Sequence, residues 1–481
     1  MRFFKKGFFF LKNQVEPFLD KKLFFGIYIS LAIAIGCLAI PTFKIYFSLI
    51  AFLLIAFYLL FSSGKYNLII ISFLLGSYFV VSNLGGSLSF HSLLFIIYIA
   101  KCFLSCILDK VKIYRFMPII ISFFLFSIYD FLISFFHLSI VSLPSQFSFL
   151  FYTLFPFAAF IDSRANKKLE IILFTMGVSL LFHDLVSIAF LSIPRIKINV
   201  FITNFGRESG LSRANSYVLF HSRFSGLFRD SNEFAFHTAM PCFTYILLMG
   251  PRKFKKLPLL VFLPCVGFGF LSGSKSYILV FLLFVVMFFV VLVRHFGVRV
   301  LIWICSVLAI SIAALYFFNL DIINSVFGRF LNGSGSLLEI ITTGRTDIWN
   351  MYLNDLFLHP THFVFGYGAK ASYQILFLGE ESHNFYINLL FDFGILGTFL
   401  YVAYYYSLFK TARFNFKRTN ESPYSWFPLI LFLVFAFGLT LTGNIIPHFS
   451  ALIQTLVLHE EPRKSAYDIK RSEITLTDFT I

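Results

Sequence analysis

Long apolar runs alternate with short polar interruptions along this chain. Within each run the apolar residues are continuous rather than alternating with polar ones. Most runs approach the roughly 20 residues that cross a bilayer as a helix. The two-residue alternation of a membrane barrel is missing. The runs predict helical spans over 23–40, 45–62, 66–82, 90–108, 116–141, 146–161, 169–193, 232–249, 257–272, 276–293, 298–318, 384–408 and 425–445. A shorter run over 447–458 follows Pro447 and predicts a half-helix. The expected fold is an all-α polytopic membrane protein with about 11–14 transmembrane helices.

The polar interruptions set the expected orientation. With the N-terminus inside, most of the 39 lysines and arginines fall in segments that face the cytoplasm. Those segments are 1–22, Lys65, 109–115, 162–168, 250–256, 294–299, 409–424 and 459–481, and the bias matches the positive-inside rule. The expected organisation is a cytoplasmic segment over 1–22, one transmembrane domain over 23–458 and a cytoplasmic tail over 459–481. The first stretch is basic and lacks a small-residue cleavage site, so it reads as retained rather than as a removed signal peptide. Two outer connections are long, near 194–231 and 319–383, and loops of that length are usually functional. The first holds Arg195, Lys197, Arg207, Arg213, Arg223 and Arg229, against the topological trend. The second holds Arg329, Arg345 and Lys370.

Composition narrows the class. Of 481 residues, 58% are hydrophobic and 13% charged, where a soluble domain carries about 25% charged residues. Mean hydropathy is +0.84. The formal net charge of +16 is explained mostly by topology, so it implies no nucleic-acid partner. The cysteines at 37, 102, 106, 242, 265 and 305 all lie in apolar runs, and no zinc spacing occurs. That excludes a disulfide framework and leaves no metal site to assign.

Four stretches concentrate chemistry on the outer side. In "HSRFSGLFRDSNEFAF", Arg223 and Arg229 precede a helix expected to start near Asn232, with Glu233 in its first turn. Arginine forks suit phosphate oxygens, and helix N-termini favour anions. In "FLSGSKSYILVF", Lys275 sits in a tight turn between two spans. In "ITTGRTDIWNMYLNDL", Arg345 opens an amphipathic helix, with Thr342 or Thr343 near its cap. In "GEESHNFYINLLFDFGILGTF", His383 and Asn384 enter the next span behind Glu381. Singly, each has a plainer reading. Arg223 and Arg229 pair with Asp230 and Glu233 on a solvated loop, Lys275 snorkels, Arg345 merely starts a helix, and His383 bonds an interfacial carbonyl. Their shared side and order favour an outward cavity for a membrane-anchored phosphate or diphosphate. Ionisable residues inside spans, namely Lys101, Asp130, His137, His183, Asp184, His237 and Asp392, keep a proton-coupled transporter open as a competing class.

The same four stretches, in order, resemble the O-antigen polymerase and O-antigen ligase superfamily. "RFSGLFRDSNEFA" is similar to its Arg-x-Ser-Gly-x-Phe-x-Asp-Pro-Asn signature, "LSGSKSYIL" to its Gly-Ser-Arg-Ser turn, and "GRTDIWNMYLNDLFLHPTHFVFGYG" to its large outer loop. "SHNFYINLLFDFGILGTF" resembles its His-Asn ending. Ser231 stands where the signature has proline, and Lys275 where the turn has arginine, which puts bidentate phosphate contact there in doubt. The resemblance implies a GT-C-like helical bundle in the bacterial inner membrane with its active site facing the periplasm. It implies glycan transfer from undecaprenyl diphosphate, without metal or other cofactor, and a separate chain-length regulator as partner. On that basis Arg223, Arg229, Lys275, Arg345, Asn232 and Asn384 are expected to bind diphosphate or substrate. His383 is expected as the catalytic base, with Glu381 or Glu233 as substitutes. A surface-polysaccharide polymerase is the favoured activity, a ligase acting on the lipid A core the close alternative, and a flippase or transporter the more distant one.

Overall fold

The computed structural model describes residues 44–61, 65–76, 90–109, 116–136, 154–155, 157–159, 168–198, 211–212, 215, 224–226, 231–249, 256–296, 302, 306, 345–368, 371, 382–419 and a few positions between 428 and 438. Among them the helices are α1 (Lys44–Phe61), α2 (Lys65–Gly76), α3 (Phe90–Asp109), α4 (Met117–Phe136), α5 (Lys168–Leu191), α6 (Ser231–Met249), α7 (Lys256–Leu271) and α8 (Lys275–Phe296). They continue with α9 (Thr346–Leu358), α10 (Pro360–Phe365) and α11 (Phe385–Thr419). No strand occurs among the described residues. Each of α1 to α8, and α11, falls on a predicted span. Among the described residues, three segments are long and apolar enough to cross a membrane: Met117–Phe136, Ile172–Ala189 and Phe385–Phe414. The chain is a membrane-embedded helical protein. The expected termini, 1–22 and 459–481, and the expected spans 23–40 and 447–458 lie outside the described residues.

The helices form packed groups. α1 lies on α3, and α2 lies on α5, where Ser179 Oγ donates to the Phe73 carbonyl at 2.6 Å. α5, α6 and α7 pack against one another, with α8 beside α6. α4 lies along α11. The largest buried cluster runs from Phe123 and Phe126 on α4, through Phe234 and Phe243 on α6, to Tyr401 and Tyr404 on α11. Meanwhile α4 turns Phe131, Phe135 and Phe136 outward, and α11 turns Ile395, Leu396 and Phe399 outward. In a bilayer such exposed apolar faces meet lipid.

Several ionisable residues in the spans have partners close by. The Lys101 ammonium donates to the Leu59 carbonyl at 2.6 Å, across the α1–α3 contact. Asp130 accepts from Ser134 on its own helix at 3.3 Å. His183 Nδ1 lies 3.1 Å from Asp184 Oδ1, both fully buried. His137 lies outside the described residues.

The long α11 is broken once. Gly394 sits at φ 63°, ψ −171°, outside helical geometry. This frees carbonyls that the helix would otherwise use. Tyr367 N–H donates to the Phe391 carbonyl at 3.0 Å, and Gly368 N–H to the Asp392 carbonyl at 2.8 Å. From α4, the Tyr129 hydroxyl lies 2.7 Å from the Phe365 carbonyl and 3.1 Å from the Phe393 carbonyl. A Cβ on Gly394 would stand 2.4 Å from the Val364 carbonyl oxygen. Only glycine fits both the backbone angle and that approach.

Gly394→Ala is therefore expected to destabilise the chain by about 1–3 kcal/mol, from the backbone conformation together with the clash. Gly267→Ala, where a Cβ meets nothing within 4 Å, should leave stability unchanged. Thermal unfolding of the full chain in one detergent compares them. Equal midpoints for the two variants would remove the break from its structural role.

Candidate functional site

The first two outer motifs meet in space. Phe224 is buried between Phe234 of α6 and Phe268 of α7, with ring centroids 5.3 and 5.6 Å away. Its N–H donates to the Leu271 carbonyl at the end of α7 at 3.0 Å. Two residues on, Gly226 has φ 54°, and a Cβ there would stand 2.4 Å from the His183 ring. The Ser-Gly turn is thus seated on α5 and tied to α7. Arg223 and Arg229, which flank this seat in sequence, lie outside the described residues.

The turn between α7 and α8 is built from serines. Ser272 Oγ donates to the Gly269 carbonyl at 2.6 Å and accepts from Ser274 N–H at 3.2 Å. Ser274 Oγ accepts from Tyr277 N–H at 3.3 Å, an N-cap for α8, which Lys275 begins. The same hydroxyl donates to Asn232 Oδ1 at 2.8 Å. Asn232 was expected to bind substrate or cap α6. The structure commits its oxygen to the serine turn, so it holds the start of α6 against the start of α8. Glu233 is half-buried in the first turn of α6.

The third and fourth motifs also meet. Arg345 is the N-cap of α9, with no side-chain hydrogen bond closing the cap. Thr342 and Thr343, expected near that cap, lie outside the described residues. One turn into α9, Trp349 Nε1 donates to the Ser382 carbonyl at 2.9 Å. Ser382 Oγ donates to Asn388 Oδ1 at 2.6 Å and accepts from Asn384 N–H at 3.1 Å. Asn384 Oδ1 accepts from Tyr386 N–H at 3.0 Å and Ile387 N–H at 3.3 Å, which caps α11. Between these buried neighbours stands His383, half-buried, at φ 49°. Among the described residues it is the one non-glycine with positive φ. Histidine tolerates that region better than most residues, yet such outliers cluster at functional sites. Glu381 lies outside the described residues.

Below this junction an aromatic ladder holds α9 and α10 on α11. His362 stacks on Tyr367 at 3.9 Å, Tyr367 on Phe391 at 4.7 Å, and Tyr352 meets Phe391 edge-on at 4.9 Å. His359 Nδ1 reaches the Asp355 carbonyl at 2.9 Å.

The four motifs therefore form two built junctions, Phe224–Asn232–Ser274–Lys275 and Arg345–Trp349–Ser382–His383–Asn384. Each contains a helix start: Ser231, Lys275, Thr346 and Phe385 are the first residues of α6, α8, α9 and α11. The two junctions share the buried cluster that contains both Phe234 and Phe385. No group of three or more His, Cys, Asp or Glu suited to a metal occurs among the described residues. The working parts that the sequence reading missed are Trp349, Ser382, Ser274 and Phe224. A lone tryptophan on an amphipathic outer helix was the one visible signal for them.

Residues 260–402 match the family model described as O-antigen ligase. Over this segment the chain is similar to the O-antigen ligase family. It covers the serine turn, α8, α9, α10 and the start of α11, which is three of the four motifs. It is a minority of the chain and leaves out the Phe224 turn. No curated protein matches the chain in a sequence comparison.

Replacing Asn384 by alanine is expected to cost about 1 kcal/mol of local stability, the usual worth of an N-cap. Hydrogen exchange should accelerate at Tyr386 and Ile387 while α6 amides stay protected. Asn384→Asp should restore protection. Unchanged exchange in Asn384→Ala would show that the cap does not hold this helix start.

Proposed function

We propose that this protein polymerises a surface polysaccharide, joining repeat units carried on undecaprenyl diphosphate at the periplasmic face of the bacterial inner membrane. The observation that carries the reading is the second junction. A cationic helix start at Arg345 is fastened by Trp349 to a turn that presents His383 in a strained backbone at the mouth of a span. That junction lies within the segment matched to the O-antigen ligase family.

In this reading the growing glycan is the donor and a sugar hydroxyl of a fresh lipid-linked unit is the acceptor. The hydroxyl oxygen attacks the anomeric carbon from the face opposite the diphosphate. The carbon–oxygen bond to the diphosphate breaks, and the leaving group takes the electron pair, inverting the centre. His383 takes the hydroxyl proton, with Glu381 or Glu233 as substitutes. Arg223, Arg229, Lys275 and Arg345 stabilise the departing diphosphate, whose charge is greatest as the bond breaks. Asn232 and Asn384 act on substrate through the helix starts they hold. The reaction needs no metal, because fixed cations and helix N-termini supply the positive field. A periplasm-facing site, a GT-C-like bundle and a chain-length regulator as partner belong to the same proposal.

The ligase alternative rests on the family's own description and on a shared donor. Lipopolysaccharide from a host lacking this gene separates the two on a gel. Polymerase predicts loss of the ladder with one repeat unit still on the core. Ligase predicts loss of every repeat, with lipid-linked polymer accumulating. Complementation with Arg345→Ala should lower turnover about 10²–10³-fold, the usual effect of losing one charge-stabilising group. His383→Ala should lower it about 10²–10⁴-fold, as for a general base. Full ladders from both variants, at wild-type protein levels, would overturn the site assignment.

A further inference from the structure

The connection before α11 was expected to be a loop on the outer side. Its hydrogen bonds place part of it deeper. Phe391, which accepts from Tyr367 N–H, lies about 9 Å along the axis from the start of α11, at a rise of about 1.5 Å per residue. Tyr129, which reaches the Phe365 carbonyl, lies about 10 Å from the end of α4 at Phe136 by the same rise. Two spans thus agree that α10 and the Gly366–Gly368 turn sit well inside their outer ends.

The exposed face of α9 agrees with that depth. Along the helix it runs Asp347, Asn350, Met351, Asn354, Phe357, Leu358. It is polar where the helix starts and apolar where it ends. Phe357 is 66% exposed and Leu358 76%. Beyond the Pro360 turn, α10 exposes Val364 and Phe365. In water such a patch is unfavourable, because large apolar side chains gain nothing there. α4 and α11, which α10 touches through Tyr129 and Gly394, turn Phe131, Phe135, Ile395 and Phe399 outward. The patch is held against the lipid-facing surface of the bundle by the Tyr129 and Gly394 contacts. Backbone at that depth must be satisfied by protein, and the Phe391, Asp392 and Tyr129 bonds do this.

We propose that α9 descends from the water into the outer leaflet and that residues 357–365 form a re-entrant wedge covered by lipid acyl chains. The wedge fixes the height of Trp349 and therefore of the Ser382–Asn384 turn relative to the membrane surface. The occupant of the patch is bilayer lipid, not a protein.

Spin labels on the full chain in phosphatidylethanolamine–phosphatidylglycerol vesicles test this. Asn350→Cys, Phe357→Cys and Val364→Cys are each labelled in a chain whose native cysteines are replaced by serine or alanine. Asn350 should collide mainly with a water-soluble nickel chelate. Phe357 and Val364 should collide mainly with oxygen, reversing the ratio. Nickel access at all three sites would return the segment to the aqueous loop and overturn the wedge. Protection of 357 and 364 from both reagents would mean that protein covers the patch, which also overturns it. Because all three labels sit on exposed positions, their folding is checked by an unchanged thermal unfolding midpoint of each labelled chain in one detergent. The depth readout does not depend on which glycan reaction the protein performs.

Discussion

One break in one helix organises the outer half of this protein. A continuous α11 would consume its own carbonyls, and nothing could bond to it edgewise. At Gly394 the chain leaves helical geometry, and the carbonyls of Phe391 and Asp392 turn to the Tyr367 and Gly368 amides. The Tyr129 hydroxyl then lies within hydrogen-bond reach of two carbonyls, Phe365 on α10 and Phe393 just before the break. An unsatisfied peptide group in hydrocarbon costs several kcal/mol. The break is therefore tolerable only with α10 docked on it, and α10 has no comparable partner elsewhere among the described residues. Each element makes the other's geometry possible.

The consequences run outward. With α10 fixed, the short His359–Pro360 connection fixes the end of α9, and the stack of His362, Tyr367 and Phe391 holds its direction. With α9 fixed, Trp349 reaches the Ser382 carbonyl. The turn at His383 then has buried, hydrogen-bonded neighbours on both sides, which is what a residue at φ 49° requires to stay there. The reacting-side chemistry assigned to His383 thus rests on a glycine about three turns below it. A change at Gly394 would be felt at His383 through backbone bonds, without touching substrate.

Much of this was legible in the amino-acid order, and the unreadable part has a physical cause. Apolar runs located α1 to α8 and α11 because burial in lipid demands uninterrupted apolar side chains, and that demand is written in composition. The starts of helices were legible as well: Ser274, Asn384 and Arg345 fall at or beside the predicted positions. Which donor meets which acceptor was not legible. The Asn232 oxygen accepts from Ser274, a residue remote in sequence. The Lys101 ammonium donates to a backbone carbonyl on another helix. Partners of this kind are set by helix packing, which the periodicity of a span that is apolar on every face leaves unspecified. The partners of α10 were hidden for the same reason: a short helix with one histidine inside it and another at its cap reads as a loop until its backbone partners are known.

The links between motifs share one property that bears on the proposed reaction. Trp349 to Ser382, Ser274 to Asn232 and Phe224 to Leu271 are all hydrogen bonds between uncharged groups. A scaffold held by ion pairs would be pulled apart when a diphosphate arrived, since the ligand would compete for the same cations. Neutral bonds have no such competitor, and salt does not screen them. The helix starts at Lys275 and Arg345 can therefore keep their positions whether the anion is present, breaking away or gone. That is the condition for electrostatic stabilisation of a leaving group, because donors that must reorganise during the reaction give back part of what they contribute. At the second junction the neutral Trp349–Ser382 bond sets the height of the turn beside Arg345, and that bond stands on the break at Gly394.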